Sequence, residues 1–292
     1  MSLATTTFAL IVSGLLLAGI YVLASLGLSL IFGVLEVVNI AHGGFVMLGG
    51  YMSWYAFTEF GVDPVLSIFA VIPAMFVLGY LMHVLAVEYV IGDNEIYSLL
   101  LTFGIALMLE GALLQQFTGI SRSIPYLNES IEILTATVGL NRLVAGVLGL
   151  VFGVGLLVFL DRSTYGRAIR ATAQEPDLAE ACGINTKQIR AITMGIGATL
   201  AGIAGVAYLM VYSISPIGAQ PILLLLFVII VLGGMGSLAG TMIASVVVAL
   251  FEVFTIFYVG SHEMFFVLYL SVAVILLVRP EGLLGEPEAR HG

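Results

Sequence analysis

From Ala9 to Ile31, and again from Val65 to Val87, the chain runs on without a single Asp, Glu, Lys or Arg. Each run is on the scale of the roughly 20 residues that an α-helix needs to cross the hydrocarbon core of a bilayer. Lipid offers no hydrogen bonds, so a segment inside it must satisfy its own backbone, which leaves helices or a closed barrel. Barrel strands alternate polar and apolar side chains, and these runs do not. The whole chain agrees: 61% of its residues are hydrophobic and 9% charged, against about 45–50% and about 25% in soluble domains. The expected fold is all-α, a polytopic transmembrane helical bundle forming one domain over residues 1–292.

Apolar runs separated by short polar breaks place segments at Thr7–Phe32, Gly44–Phe57, Val65–Ile91, Ile96–Phe117, Leu143–Leu160, Ile189–Tyr212, Pro221–Leu232, Leu238–Tyr258 and Met264–Val278. Gly44–Phe57 and Pro221–Leu232 are too short for straight crossings, which sets the count at eight or nine. Such short, Gly-interrupted pieces read as broken or re-entrant helices, tolerated where backbone is buried in protein or lines a cavity. The first Lys or Arg is Arg122, so the first segment lacks the basic flank of a cleaved signal peptide and reads as a retained helix.

Arg162, Arg167, Arg170, Lys187 and Arg190 gather in residues 161–190, and the positive-inside rule makes that loop cytoplasmic. Counting spans from it puts the Asn39–Gly43 break and the Gly92–Glu95 turn inside. Glu59–Asp63, Gly119–Asn141 and the amino terminus fall outside, while Arg279 and the carboxyl terminus fall inside a cell membrane. Asp93 and Glu95 do not oppose this, because acids contribute little to the bias.

Inventory excludes several chemistries. Cys182 is the only cysteine, so no intrachain disulfide or cysteine-rich metal site can form. A net charge of −9 speaks against nucleic acid, whose phosphates require clustered Lys and Arg. His42, His83, His262 and His291 are scattered, and neither a His-Glu-x-x-His pair nor a Gly-x-Ser-x-Gly elbow occurs. No enzyme and no metal site are expected.

The residues that remain informative fall into four groups. Arg167–Gln174 can close one helix, Pro176 and Asp177 can open another at first-turn positions, and Gly183 fits a C-terminal cap. Glu110 and Glu252 are acids inside apolar runs, where a charge costs about 2.5–3.5 kcal/mol on insertion scales. Asn39 and His42 stand beside a Gly-rich break. These polar side chains either face a solute path or pair with neighbours to lock helices together, and Glu36 lies near the interface. Gly43, Gly44, Gly233, Gly234 and Gly236 mark two Gly-rich breaks alike in kind, which points to a weak internal duplication. Gly149, Gly153, Gly195, Gly197, Gly202 and Gly205 permit close helix approach. Tyr51, Trp54 and Tyr55 read as interfacial anchors.

The string Arg170-Ala-Thr-Ala-Gln-Glu-Pro-Asp-Leu-Ala-Glu-Ala-Cys-Gly-Ile-Asn185 resembles the cytoplasmic coupling segment of branched-chain amino acid ABC permeases. Gly27 to Gly43, ending in Asn-Ile-Ala-His-Gly, resembles the family's early signature. Gly233-Gly-Met-Gly-Ser resembles a late one, and Arg279-Pro-Glu-Gly-Leu-Leu-Gly a closing one. The likeness is nearer to the shorter of the two permeases these importers pair. Gly44 stands where the family often carries Glu, so a family role for that carboxylate does not transfer.

The resemblance implies a permease that works with a second permease subunit, two cytoplasmic ATP-binding subunits and an external solute-binding protein. The loop residues Arg167, Arg170, Ala171, Gln174, Glu175, Pro176, Asp177 and Gly183 would couple it to the ATPase. The chain has no G-x-x-x-x-G-K-[ST] phosphate loop, and its only lysine, Lys187, lacks that glycine frame. ATP and Mg would therefore be bound by the partner subunits and no cofactor by this chain. The solute implied is a branched-chain amino acid. The alternatives are urea or a short amide carried by the same kind of permease, or a proton-coupled secondary transporter using Glu110 and Glu252.

Overall fold

The computed structural model describes residues 3–92, 95–133, 136–261 and 263–278. Asp93, His262, His291, Arg279 and the closing motif that Arg279 begins lie outside the described residues. All nine apolar segments are helices. They are α1 (Leu3–Leu35), α2 (His42–Phe60), α3 (Pro64–Leu85), α4 (Glu95–Phe117), α5 (Leu140–Arg162), α8 (Thr186–Val211), α9 (Ala219–Gly233), α10 (Leu238–Tyr258) and α11 (Met264–Val278). The two short helices α6 (Thr164–Gln174) and α7 (Pro176–Ala181) interrupt the series between α5 and α8. Among the described residues, seven helices are long and apolar enough to cross a membrane: α1, α3, α4, α5, α8, α9 with its preceding turn, and α10. The chain is an integral membrane protein.

The connection between α4 and α5 adds something the all-helical reading lacked. A small antiparallel hairpin pairs β1 (Ser130–Ile133) with β2 (Ala136–Gly139), placing Ile131 opposite Val138. The segment before it is anchored by a backbone bridge in which Arg122 and Ile214 exchange N–H···O bonds of 2.8 Å in both directions.

Two long helices form the centre. α8 packs against α1, α2, α3 and α5, and α1 packs against α5, α8 and α10. In the windows of α1 and α8 that would span the bilayer, 78% of residues are buried, against 17% for α4 at the periphery. Lipid removes the hydrophobic drive between helices, so close approach depends on small side chains. At the α1–α8 crossing, Gly27 and Gly197 face each other. A Cβ on Gly27 would meet the Gly197 carbonyl, and one on Gly197 would press into Ile31. On α5, a Cβ at Gly149 would land on the backbone of Gly19.

The break after α1 is real, but it lies at Glu36–Ala41, and Gly43 and Gly44 belong to the first turn of α2. Glu36 takes a left-handed φ of 54° as its N–H closes on the Phe32 carbonyl at 2.9 Å, and its side chain is exposed. α2 has 19 residues, about 28 Å of helix at 1.5 Å per residue, longer than its apolar core indicated. Its first half is buried among α8, α3 and α9, so it does not need a lipid-facing composition. α9 also begins inside the bundle, where the Ala219 carbonyl lies against Gly43 of α2.

The helix contacts follow a partial symmetry in another register than the Gly-rich strings suggested. In α1–α2–α3 and α8–α9–α10 the first helix of each set packs on the third of the other, and the middle helices meet. The break before α2 therefore corresponds to the α8–α9 connection, and the Gly-rich turn before α10 corresponds to the α2–α3 turn. The two sets run in opposite directions, as in transporters built from inverted repeats. In the turn before α10, Gly234 and Gly236 have φ of 94° and 83°, a region open at little cost to glycine. Gly236 approaches Gly33 of α1, and Gly233 lies against Gly240.

Tyr51 is a correction. It is fully buried and stacks on Phe117 with ring centroids 4.5 Å apart, so it is a core residue rather than an interfacial anchor. Trp54 packs its edge on the same Phe117 and carries the Arg122 guanidinium 5.0 Å above its ring. Tyr55 is exposed.

Candidate functional site

Opposite ends of the bundle carry different chemistry. At the end holding the α4–α5 and α8–α9 connections, α1, α2, α8, α9, α10 and α11 border a cavity of about 250 Å³. Glu252 of α10 lines it and is 6% exposed. The Tyr21 hydroxyl of α1 donates a 2.5 Å hydrogen bond to Glu252 Oε2; no other donor among the described residues reaches the carboxylate. Tyr208 in the last turn of α8 and Tyr212, which caps it, lie 4.9 Å apart between centroids and complete the polar wall. Met47, Ile222, Leu225, Met264 and Phe265 form the apolar wall. Ser121, next to the Arg122–Ile214 bridge, closes the top with Ser213 and Ser215. In the same outer layer, Tyr126 approaches Asp63; burial first, and then that carboxylate, raise its phenol above the ordinary value.

A line of paired polar groups leads from this cavity along the α1–α10 contact. Below Tyr21–Glu252 come Ser25–Ser245 at 2.8 Å and Thr241 donating to Ser29 at 3.0 Å. The spacing 21, 25, 29 on α1 is the i, i+4 repeat of one helix face. At its far end Ser29 and Gly33 line a second cavity of about 630 Å³ that also touches Ile169, Arg170 and Ala173 of α6.

The α6–α7 pair stands at that second end. Ser163 caps α6 by accepting from Gly166 N at 2.8 Å. A Cβ at Gly166 would strike the backbone of Phe159 and Leu160, so α6 can fold tightly back on the end of α5. Ile169 and Thr172 point inward while Arg167, Arg170 and Gln174 are exposed, and Ala171 is half-buried. Pro176 begins α7, with Asp177 in its first turn. The helix ends in a Schellman arrangement: Gly183 N bonds to Glu180 O and Ile184 N to Ala179 O, with Gly183 at φ 85°. Asn185 then caps α8 by accepting from Gln188 N at 3.1 Å. Thr186 donates to the Glu180 carboxylate, tying α7 to α8. Arg170 meets Asp161 at 2.8 Å, but both are well exposed, a class of pair that contributes about 0–1 kcal/mol. His83 of α3 meets Glu88 at 2.9 Å, and the exposed Lys187 of α8 reaches the same carboxylate at 3.5 Å.

The candidates from sequence thus separate. Glu252 lies in the cavity, whereas Glu110 is half-buried on peripheral α4 and lines no described cavity. Asn39 and His42 are fully buried. Asn39 Oδ1 accepts from Ala41 N at 3.1 Å at the start of α2, and His42 Nε2 is 2.9 Å from the Ala24 carbonyl of α1. Asn39 thus closes the turn into α2, and His42 ties α2 to α1. Sequence reasoning missed Tyr21, Tyr208 and Tyr212, although the i, i+4 spacing of the last two was there to see. It also missed Tyr165 and Leu178, which are 55% and 65% exposed on α6 and α7.

The family described as branched-chain amino acid transport system, permease component, matches residues 10–278. The chain is similar to the high-affinity branched-chain amino acid transport system permease protein BraD of Pseudomonas aeruginosa. That identity is 29% over 294 residues, covering 95% of each chain. It is 27% identical to LivH of Escherichia coli, a permease protein of the same description, over 94% of each chain. A probable branched-chain amino acid transport permease protein LivH from Methanocaldococcus jannaschii is 26% identical, over 92% of this chain and 89% of the relative. No solved structure matches. Spanning nearly the whole chain, these likenesses and the helical bundle place the protein in the branched-chain amino acid permease family.

Proposed function

We propose that this chain is a membrane-spanning subunit of an ATP-driven importer for branched-chain amino acids. It pairs with a second permease subunit, two cytoplasmic ATP-binding subunits and an external solute-binding protein. The amino terminus and the α8–α9 connection face outside; α6, α7 and the carboxyl terminus face the cytoplasm, consistent with the basic residues around α6. ATP and its Mg ion are handled by the partner subunits.

The observation that carries the reading is the construction of α6–α7. A doubly capped helix pair rests on α5, α1 and α8 and presents Tyr165, Leu178 and two arginines outward. An exposed Leu beside exposed charge suits insertion into a cleft of a partner protein. Because α6 also lines the cavity of about 630 Å³, displacement of the pair by that partner moves a wall of the cavity directly.

Cys182, exposed at the end of α7 and the only cysteine in the chain, makes this testable. A short thiol-to-amine cross-linker placed on it is expected to join the chain to an ATP-binding subunit in the assembled complex. Unhindered labelling of Cys182 by a bulky maleimide, equal with and without the ATP-binding subunits, would count against docking at this element.

A further inference from the structure

We infer that the cavity around Glu252 binds the solute itself as a zwitterion, with Glu252 receiving the ammonium group. The inference rests on the importer reading above and adds the site at which the transported molecule is held.

A carboxylate at membrane depth is costly and is normally compensated by a partner. Glu252 has no ion pair with Lys, Arg or His among the described residues. Its partner is the neutral Tyr21 hydroxyl, which engages one oxygen. Arg142 lines a separate, narrow cavity with Tyr212 and Val253, and the Arg122 guanidinium lies over Trp54. The site thus supplies a buried acid and an adjoining space, but no cation. The phenol rings of Tyr21, Tyr208 and Tyr212 around that space favour a cationic group as well.

The opposite pole is the start of α9. Gly218 precedes the helix with no side-chain cap, and Gly218, Pro221 and Ile222 line the cavity. The Gly218 N–H is taken by the Ser215 carbonyl at 3.0 Å and Pro221 carries no N–H, so the donors at this pole are hydroxyls. Ser213 and Ser215 supply them on the cavity wall. Between the two poles, Met47, Leu225, Met264 and Phe265 offer an aliphatic and aromatic surface. An ammonium at Glu252, a carboxylate toward α9 and a branched aliphatic side chain on that surface use every wall. Urea or a short amide carries no charge for either pole.

The decisive variant is Glu252→Gln, which keeps the shape and the Tyr21 hydrogen bond while removing the charge. Uptake of labelled L-leucine by the reconstituted importer is expected to fall about tenfold or more, the loss of one charged hydrogen bond, with ATP hydrolysis retained. Wild-type uptake by this variant would overturn the inference and leave the importer reading intact. Absence of leucine uptake by the unmodified importer would instead overturn the importer reading. A second measurement covers a variant that fails to assemble. With Cys182→Ser and Ser213→Cys in the complex, 3-methylbutylamine, which is leucine without its carboxylate, is expected to slow thiol modification. No slowing by either the amine or leucine would overturn the inference.

Discussion

The α1–α10 and α3–α8 contacts occupy equivalent places in the two inverted halves and are built from different materials. The α3–α8 contact is apolar and close, and an apolar pocket of about 450 Å³ borders it between α3, α5 and α8. Gly79 meets Met194, Gly195 and Ala198, while Gly202 receives Met75 and Val71. Between the pair, the Thr199 hydroxyl reaches the Ile72 carbonyl at 3.5 Å. The α1–α10 contact carries Tyr21–Glu252, Ser25–Ser245 and Ser29–Thr241 in succession, with a cavity at each end. Packing alone does not require that polarity, as α3–α8 shows. One contact acts as a fixed frame, and the other is proposed to be the side along which solute is held and released.

Substitutions should break this contrast unequally. Gly202→Leu forces a large side chain into Met75 and Val71 and is expected to cost more than the roughly 1–3 kcal/mol typical of overpacking. Its signature is loss of folded protein in a detergent thermal-stability assay. The double substitution Ser25→Ala with Ser245→Ala removes one interhelical hydrogen bond, worth about 0.6 kcal/mol on average in membrane bundles. A small drop in melting temperature, with a larger relative change in leucine uptake than in stability, is expected. Thr199→Ala should change neither stability nor uptake measurably, because its hydroxyl retains no essential partner on α3. Gly104→Ala on α4 acts in the opposite direction: a Cβ there meets nothing within 4 Å, so helix propensity alone acts, a stabilisation of up to about 1 kcal/mol.

Much of the architecture was legible because membrane crossing imposes length and apolarity together. All nine helices were placed by hydropathy. The caps of α6–α7 were readable from Pro176, Asp177 and Gly183, since those residue types have local backbone consequences. The hairpin was overlooked although Ile131, Ile133 and Val138 hint at the two-residue period of strands, because the segment is short and sits in a polar connection. The register of the symmetry was misread for a physical reason: glycine marks close approach and turns alike, and two Gly-rich strings need not occupy equivalent positions.

The candidate site was legible in one residue. Glu252 stood out as an acid in an apolar run, but Glu110 stood out equally, and only packing separates them. Tyr21, Tyr208 and Tyr212 come from two helices far apart in sequence, and aromatic residues in a membrane helix are unremarkable singly. Asn39 and His42 stood out as candidate path residues because they are polar beside a break. A break also creates its own demand for polar partners, since α2 begins inside protein where the freed backbone groups must be satisfied. Leu178 was invisible for the converse reason: an apolar side chain draws no notice in such a chain until its exposure is known.

The most direct test of the importer reading is accumulation of labelled L-leucine in proteoliposomes containing this chain and its partner permease, with the solute-binding protein supplied outside. Uptake is expected only when the ATP-binding subunits and ATP are present, and to be insensitive to an imposed proton gradient. Equal uptake without those subunits, driven by a proton gradient alone, would contradict it.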